Sequence, residues 1–265
     1  MNQKDTMSAL PTGTVTFLFT DIEGSTNLWE EFPEAMKAAL AKHDSILKEA
    51  VESNHGQIVK TTGDGIHAVF TTAIDAINAA IQSQHKLNSL ILNYELPITN
   101  LQSPISSLSL KSRMGLHAGE AELREGDYFG QTLNRAARIM SAGHGGQILI
   151  SDIVAQVASE HLSAGVSFLE LGEHYLKGVV QAEKIYQIVA LNLQKDFPPL
   201  NSIPTATNNL PTQLTSFIGR ERELNDASEK LESAKLLTLI GPGGTGKTRL
   251  SIQIGAEQLA RFKHG

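Results

Sequence analysis

The chain has no cysteine, one tryptophan and few aromatic residues, which make up 5% of its 265 residues. The absence of cysteine excludes disulfides and thiolate metal sites, and it is compatible with a reducing compartment. No apolar run approaches the roughly 18 residues of a membrane-spanning helix. Residues 1–6 also lack the apolar core of a signal peptide. We therefore predict a cytoplasmic protein without a membrane segment.

Positive charge is also scarce. Lys and Arg number 22 against 28 Asp and Glu, which gives a formal net charge of −6, and they form no basic block. Because phosphate backbones demand concentrated Lys and Arg, we expect no nucleic-acid partner. The nine His show no spacing typical of zinc ligands. This composition agrees with a soluble intracellular enzyme.

Two aspartates are the first sign of that chemistry. Asp21 follows a strand-like apolar run at residues 15–20, and Asp64 lies in a tight turn between two further strand-like runs. Mg²⁺ and Mn²⁺ prefer carboxylate and phosphate oxygens. Two such ions roughly 3.5–4 Å apart activate a hydroxyl and neutralise a leaving phosphate. Asp is also a common turn former, so the pair alone leaves both interpretations open.

Four more residues stand at regular distances from these two. Lys60 precedes Asp64 by four residues, and Asp127 precedes a helix-like stretch that carries Asn134 and Arg138. The i, i+4 spacing of Asn134 and Arg138 places them on one helix face, one turn apart. Taken singly, Lys60 also fits a solvated strand charge, and Asp127 also fits a cap of the following helix.

Taken together, these residues resemble the catalytic domain of class III nucleotidyl cyclases. Residues 19–26, Phe-Thr-Asp-Ile-Glu-Gly-Ser-Thr, look like the first strand and phosphate loop of that family. The resemblance implies two Mg²⁺ or Mn²⁺ ions per site. It further implies metal binding by Asp21, Ile22 and Asp64, base reading by Lys60 and Asp127, transition-state contacts by Asn134 and Arg138, and triphosphate contacts by Glu23, Gly24, Ser25, Thr26 and Lys177.

The resemblance predicts an adenylate cyclase that acts as a homodimer with shared sites. Adenine has an acceptor at N1 and an amino donor at N6, which match Lys60 and Asp127, whereas guanine has the reverse pattern. ATP is therefore the expected substrate. Two alternatives stay open: a degenerate nucleotide-binding module that regulates an attached ATPase, and a cyclase with another nucleotide preference.

The predicted fold is α+β, a ferredoxin-like βαββαβ core with extra strands. The domain boundaries follow from composition: a tail at 1–12, the cyclase domain at 13–192, a Pro-rich linker at 193–212 and a second unit at 213–265. The predicted elements are strands 13–20, 57–62, 65–70, 111–122, 147–150, 166–170 and 183–189, helices 25–53, 73–92, from 131 and from 151, and loops at 93–109 and around Asp127.

The second unit contains a phosphate-loop motif. A predicted strand at 236–240 leads into Gly-Pro-Gly-Gly-Thr-Gly-Lys-Thr, which fits G-x-x-x-x-G-K-[ST] through Gly241, Gly246, Lys247 and Thr248. This unit resembles the start of signal-transduction ATPases with numerous domains. Seventeen residues follow the motif, which leaves no room for a later acidic Mg²⁺ ligand. We expect an incomplete P-loop α/β fragment that is loosely docked and unable to hydrolyse ATP.

Overall fold

The computed structural model describes residues 10–89, 92–93, 107–108, 110–124, 126–177, 179, 181–204, 220–234 and 236–258. The chain divides into two compact units. The first comprises Met1–Leu171 and Lys184–Asn201, and the second comprises Gly172–Glu183 and Ser202–Gly265. Within the described ranges, no helix combines the length and the apolar character needed to cross a bilayer.

Strands and helices of the first unit follow the predicted order. They are β1 (Thr14–Ile22), α1 (Ser25–Glu31), α2 (Pro33–Ser53), β2 (Gln57–Thr61), β3 (Ile66–Phe70), α3 (Ala73–Ser89), β4 (Leu92–Asn93), β5 (Ser107–Leu108), β6 (Ser112–Glu120), β7 (Glu122–Arg124), β8 (Asp127–Phe129), α4 (Gln131–Ala142), β9 (Ile148–Ser151), α5 (Asp152–Ala158), a 3₁₀ turn (Ser159–His161), β10 (Ser167–Tyr175) and β11 (Glu183–Val189). The end of β10 and the first residue of β11 belong to the second unit.

The main sheet has β1 near its centre, in the order β10-β11-β9-β6-β1-β3-β2. β1 pairs antiparallel with both β3 and β6, whereas β6 and β9 are parallel. Successive side chains of a strand point to opposite faces, and both faces of β1 are covered. Leu18 lies in the core that includes α2, α3 and α5, and Phe17 lies in the core that includes Ala136 of α4. This double burial explains the continuous apolar run before Asp21.

The prediction of one helix over residues 25–53 is wrong. The chain breaks at Phe32, whose φ of −137° and ψ of 58° are not helical, and α2 starts at Pro33. A proline disfavours the helical conformation of the residue before it, while the first position of a helix tolerates proline well. The Phe32-Pro33 pair therefore divides the predicted helix into α1 and α2.

Further boundaries differ from the prediction, and the strand predicted at 166–170 continues to Tyr175. The helix predicted to reach residue 92 is described as far as Ser89, and residue 92 itself lies in β4. The strand predicted to reach 122 ends at Glu120. The loop predicted around Asp127 is an antiparallel hairpin, because Arg124 pairs with Asp127 between β7 and β8. The loop prediction at 93–109 is wrong at residues 93, 107 and 108, which lie in the paired strands β4 and β5. The other residues of that range, and residues 1–9 of the predicted tail, lie outside the described residues.

The second unit contains β12 (Ile203–Pro204), α6 (Glu221–Ser233) and α7 (Lys247–Gln258). β12 lies within the predicted linker and pairs with the end of β10. Residues 205–219, which include the rest of that linker and the predicted start of the ATPase-like segment, lie outside the described residues. A small apolar cluster joins the two helices through Leu224, Ala227, Leu250 and Ile254.

The strand predicted at 236–240 is wrong, because this segment has no strand conformation. A β-strand is defined by its ladder, and in the part of the chain that the structure describes no strand pairs with this segment. Leu236 and Ile240 are 82% and 92% exposed. The phosphate loop follows directly, with Lys247 at the first position of α7 and its Nζ donating to Pro242 O at 2.6 Å.

Candidate active site

Asp21 and Asp64 lie side by side because the β2–β3 turn packs against the end of β1. The Ile66 N–H donates to Thr20 Oγ1 at 3.0 Å. At Gly65 an added Cβ would lie 1.9 Å from Thr20 O, so this close approach requires glycine. The turn that carries Asp64 is thereby held next to the last residues of β1. Two distant aspartates of the sequence become neighbours.

The two carboxyl groups share an electrostatic environment. Burial raises the pKa of Asp21 above its usual value, and the neighbouring carboxyl group of Asp64 raises it further. Asp64 Oδ2 is buried and accepts no hydrogen bond within the described ranges. A buried acceptor without a donor beside a second carboxylate fits a hard divalent cation, which satisfies such oxygens.

The protein ligands for such an ion are few. Among the described residues, no group of three or more His, Asp and Glu side chains is arranged to hold a metal. The side chain of Ile22 is aliphatic and has no ligand atom, so this residue could coordinate an ion only through its backbone carbonyl. Asp21, Asp64 and this carbonyl would therefore leave much of the coordination shell to water or to substrate oxygens.

Arg113 bonds to Asp21 beside Asp64, and the sequence analysis did not predict it as a site residue. It stands opposite Asp21 in the β1–β6 register. Its Nε donates to Asp21 Oδ2 at 2.8 Å, and its Nη2 donates to the same oxygen. The guanidinium lowers the pKa of Asp21 and opposes the effect of burial. Only the pairing register of two strands distant in sequence brings these residues together.

The segment predicted to bind triphosphate joins β1 to α1. Gly24 has a positive φ of 71° and precedes the first turn of α1, which begins at Ser25 and includes Thr26. The backbone N–H of Glu23 donates to Lys111 O at 3.0 Å. That donor is therefore engaged within the protein, and the predicted phosphate donors narrow to Gly24, Ser25 and Thr26.

Lys60 and Asp127 form the ion pair that the sequence predicts as a base-reading pair. Lys60 Nζ lies 2.6 Å from Asp127 Oδ2, and both side chains are partly exposed. The lysine lowers the pKa of Asp127, and Asp127 Oδ1 accepts the Tyr128 N–H. Asp127 does not cap the following helix, since the N-cap of α4 is Gly130 and no side chain bonds there.

His67 lies in β3 across from Lys60 and stacks on Phe19 with ring centroids 4.4 Å apart. It is fully buried, and neither ring nitrogen has a hydrogen-bond partner in the described part of the molecule. Burial lowers the pKa of His67 to about 4, and the charge of Lys60 contributes to the shift. The His67 imidazole beside the Lys60–Asp127 pair is therefore neutral at physiological pH.

The remaining predicted residues lie on α4 and after β10. Asn134 and Arg138 are exposed, one turn apart, while Ala136 and Ile139 of the same helix are buried. Arg135 is half-buried rather than solvated, and its charge contributes to the lowered pKa of His117. Lys177 follows β10 in the second unit, and its predicted phosphate contact stays a prediction.

Comparison with known proteins identifies the family. The model of the adenylate and guanylate cyclase catalytic domain matches residues 7–190. An uncharacterized protein of Mycobacterium tuberculosis is 35% identical over 219 residues, which are 81% of this chain and 70% of that protein. An adenylate cyclase of Podospora anserina is 35% identical over 161 residues, which are 56% of this chain and 8% of that protein.

Solved structures agree with this match. A structure of adenylate cyclases from Trypanosoma brucei in their monomeric state has a TM-score of 0.60 and 28% identity, and the alignment covers 73% of this chain and 95% of that one. An adenylate/guanylate cyclase/hydrolase from Silicibacter pomeroyi has a TM-score of 0.55 and 28% identity, with 66% and 96% coverage. The chain belongs to the adenylate and guanylate cyclase catalytic domain family, which confirms the cyclase part of the predicted resemblance.

Proposed function

We propose that this chain is an adenylate cyclase that converts ATP to 3′,5′-cyclic AMP and pyrophosphate at sites shared by two copies of the chain. The observation that supports this most is the pairing within one domain. Asp21 lies beside Asp64, whose Oδ2 is buried and unpartnered, and Lys60 lies beside Asp127. The first pair suits cations and the second suits a purine edge. The similarity to a fungal adenylate cyclase agrees with the proposal.

The reaction requires the ribose 3′-hydroxyl to attack the α-phosphorus while pyrophosphate leaves. Asp21 and Asp64 would hold two Mg²⁺ or Mn²⁺ ions, which would lower the pKa of the hydroxyl and screen the charge of the triphosphate. Arg138 provides an always-charged planar fork for the charge that develops on the α-phosphoryl group. Asn134, one turn earlier on the same helix face, hydrogen-bonds the ribose and orients the hydroxyl.

Base selection rests on Lys60 and Asp127. Adenine N1 accepts from the Lys60 ammonium, and the adenine N6 amino group donates to the Asp127 carboxylate. The two side chains bond to each other when no base lies between them. An exposed ion pair contributes only about 0–1 kcal/mol, so separating it to admit adenine costs little. With guanine, the N1 donor would face the Lys60 ammonium and the O6 acceptor would face the Asp127 carboxylate, so neither hydrogen bond could form. Unpaired polar groups cost about 1–3 kcal/mol each.

A closed pair of chains would complete each site. Asn134 and Arg138 are exposed on α4, and they are available to substrate held by another copy. In the described ranges, no hydrogen bond or ion pair joins the carboxylates Asp21 and Asp64 to the Lys60–Asp127 pair. Because a two-fold axis repeats every surface, one copy can supply the carboxylates while the other supplies the base-reading pair and α4.

The test is direct detection of the product. The full chain, with ATP or GTP and Mn²⁺, should form cyclic AMP in preference to cyclic GMP. The matched variant Asp64→Asn removes the charge, keeps the shape of the side chain and should abolish product formation. Tight ATP binding by a confirmed dimer, with no cyclic product under Mg²⁺ or Mn²⁺, favours the alternative of a degenerate module that regulates an attached ATPase. Preferential formation of cyclic GMP would contradict the proposed base reading.

The phosphate loop of the second unit is proposed as a separate, weaker phosphate contact. Lys247 and Thr248 stand in the first turn of α7, and Thr245 Oγ1 donates to Pro242 O at 2.9 Å within the loop. Among the residues that the structure describes, no paired strand precedes this loop, so it has less support than a loop at the sheet edge that usually carries such a motif. Weak ATP binding with no hydrolysis is the expected behaviour.

A further inference from the structure

Residues 191–201 leave β11 and end where the first unit ends, and we name this segment the C-terminal strap. The sequence predicts most of it to be linker, yet it is bonded to the first unit along its length. His85 Nε2 donates to Leu191 O at 2.8 Å, and Gln187 Nε2 donates to Lys195 O at 2.7 Å. Leu193 packs against the main core. The strap is thus part of the domain.

The end of the strap contacts the helix that carries Asn134 and Arg138. The Asn201 N–H donates to the carbonyl of Ala142, the last residue of α4, at 2.8 Å. The last carbonyls of a helix have no partner within the helix. The strap supplies one of these partners, about one turn beyond Arg138.

His144 connects the strap to the predicted triphosphate segment. Its Nε2 donates to Pro199 O at 3.0 Å, and its Nδ1 lies 3.7 Å from Glu23 Oε1. The fit is close, because a Cβ added at Gly145 would lie 2.9 Å from Glu23 Oε2. The α4–β9 loop therefore lies between the strap on one side and the segment after Asp21 on the other.

Buried glutamines fix this loop to the strap. Gln147 Oε1 accepts the His144 N–H at 3.0 Å, and Gln147 Nε2 donates to Gln187 Oε1 at 2.7 Å. Gln187 in turn holds the strap at Lys195. Both glutamine side chains are almost fully buried, and the hydrogen bond between them is shielded from water and costly to break.

We propose that the C-terminal strap is a positioning element of the cyclase site. It is hydrogen-bonded to the end of α4 through Ala142 and to His144, whose ring contacts Glu23 of the predicted triphosphate segment, so release of the strap displaces Arg138 and removes the support of the His144–Glu23 contact. This inference rests on the proposed cyclase function.

A pair of variants of the full chain isolates the bond to α4. Asn201→Pro removes the backbone N–H that donates to Ala142, whereas Asn201→Ala keeps it. Misplacement of catalytic groups by about 1 Å costs on the order of 10²-fold in rate. We expect kcat for cyclic AMP to fall roughly tenfold or more in the proline variant and to stay unchanged in the alanine variant. Melting temperature and dimer content should match in the two variants. Equal kcat in both would overturn the proposal.

A second pair tests the bridge through His144. His144→Ala removes the donor to Pro199 O, and His144→Gln keeps a side-chain N–H that can reach it. The alanine variant should lose activity and the glutamine variant should regain most of it. A glutamine variant as impaired as the alanine variant, with the melting temperature unchanged in both, contradicts a positioning role for this bond.

Two measurements separate this proposal from the cyclase assignment. Hydrogen exchange at the Asn201 amide should be slow in the unmodified chain, and exchange at the free-chain rate overturns strap docking whatever the activity. Binding of 3′-deoxy-ATP, which cannot cyclise, should weaken about threefold or more in Asn201→Pro alone. If Asn201→Pro alone binds 3′-deoxy-ATP more weakly and the unmodified chain forms no cyclic product, the cyclase assignment is refuted and the positioning role of the strap is supported. Equal binding by the proline and alanine variants refutes the strap.

Discussion

Replacement of His67 by leucine should change how stability depends on pH. His67 is fully buried beside the Lys60–Asp127 pair, stacks on Phe19 and has no hydrogen-bond partner on either ring nitrogen within the described part of the chain. Burial lowers the pKa of His67 to about 4. The folded domain therefore keeps this imidazole neutral, whereas the unfolded chain protonates it near its ordinary pKa.

The magnitude follows from this pKa difference. Between pH 6.5 and 4, the unfolded state binds a proton at His67 that the folded state does not bind. Stability therefore falls as the pH decreases through this window, and the fall stops once the folded state also protonates. A difference of about 2.5 pKa units corresponds to about 3 kcal/mol. The leucine variant should lack this loss, although the contribution of His117, whose pKa is also lowered to about 4, remains.

Urea unfolding at several pH values measures the effect. Trp29, the single tryptophan, lies in α1 and reports on the first unit by fluorescence. The difference in unfolding free energy between pH 7 and pH 4.5 should be about 2–3 kcal/mol smaller in His67→Leu than in the unmodified chain. The exposed His161→Leu variant is the control and should keep the original difference. A leucine variant with the same pH dependence as the control would falsify the reasoning.

Three further predictions concern the site. Arg113→Met removes a cation beside Asp21, so Mn²⁺ should bind roughly threefold tighter or more, and the metal-free protein should melt at a lower temperature. Calorimetric titration with Mn²⁺ measures the affinity, with Arg113→Lys as the control. Weaker Mn²⁺ binding by the methionine variant contradicts this prediction. Mixing inactive Asp21→Ala with inactive Arg138→Ala should restore cyclic AMP formation through heterodimers with one intact site, and a dead mixture of confirmed dimers argues against shared sites. Lys60→Glu combined with Asp127→Ser should reduce the ratio of ATP to GTP turnover by roughly tenfold or more, and an unchanged ratio locates base reading elsewhere.

Local patterns in the sequence predicted α4 and the β2–β3 hairpin correctly. The spacing of Leu133, Ala136 and Met140 is helical, and two apolar runs flank Gly63-Asp64-Gly65. Such patterns depend on neighbouring residues only, so they can be read without the fold. Residues 236–240 mark the limit of this reasoning. Their apolar run predicts a strand, but strand formation depends on a partner that local sequence does not contain.

The sequence by itself determined the family and the order of the main elements, and it predicted six site residues, because these depend on residue type and on spacing along the chain. Only the tertiary structure decided which of these groups meet. The β1–β6 register brings Arg113 onto Asp21, and the approach of Gly65 to Thr20 brings Asp64 beside it. The contact of the C-terminal strap with α4 could likewise not be predicted, because the sequence of this segment is typical of a proline-rich linker. Contacts between distant residues follow from strand register and packing, which no single segment of the chain encodes.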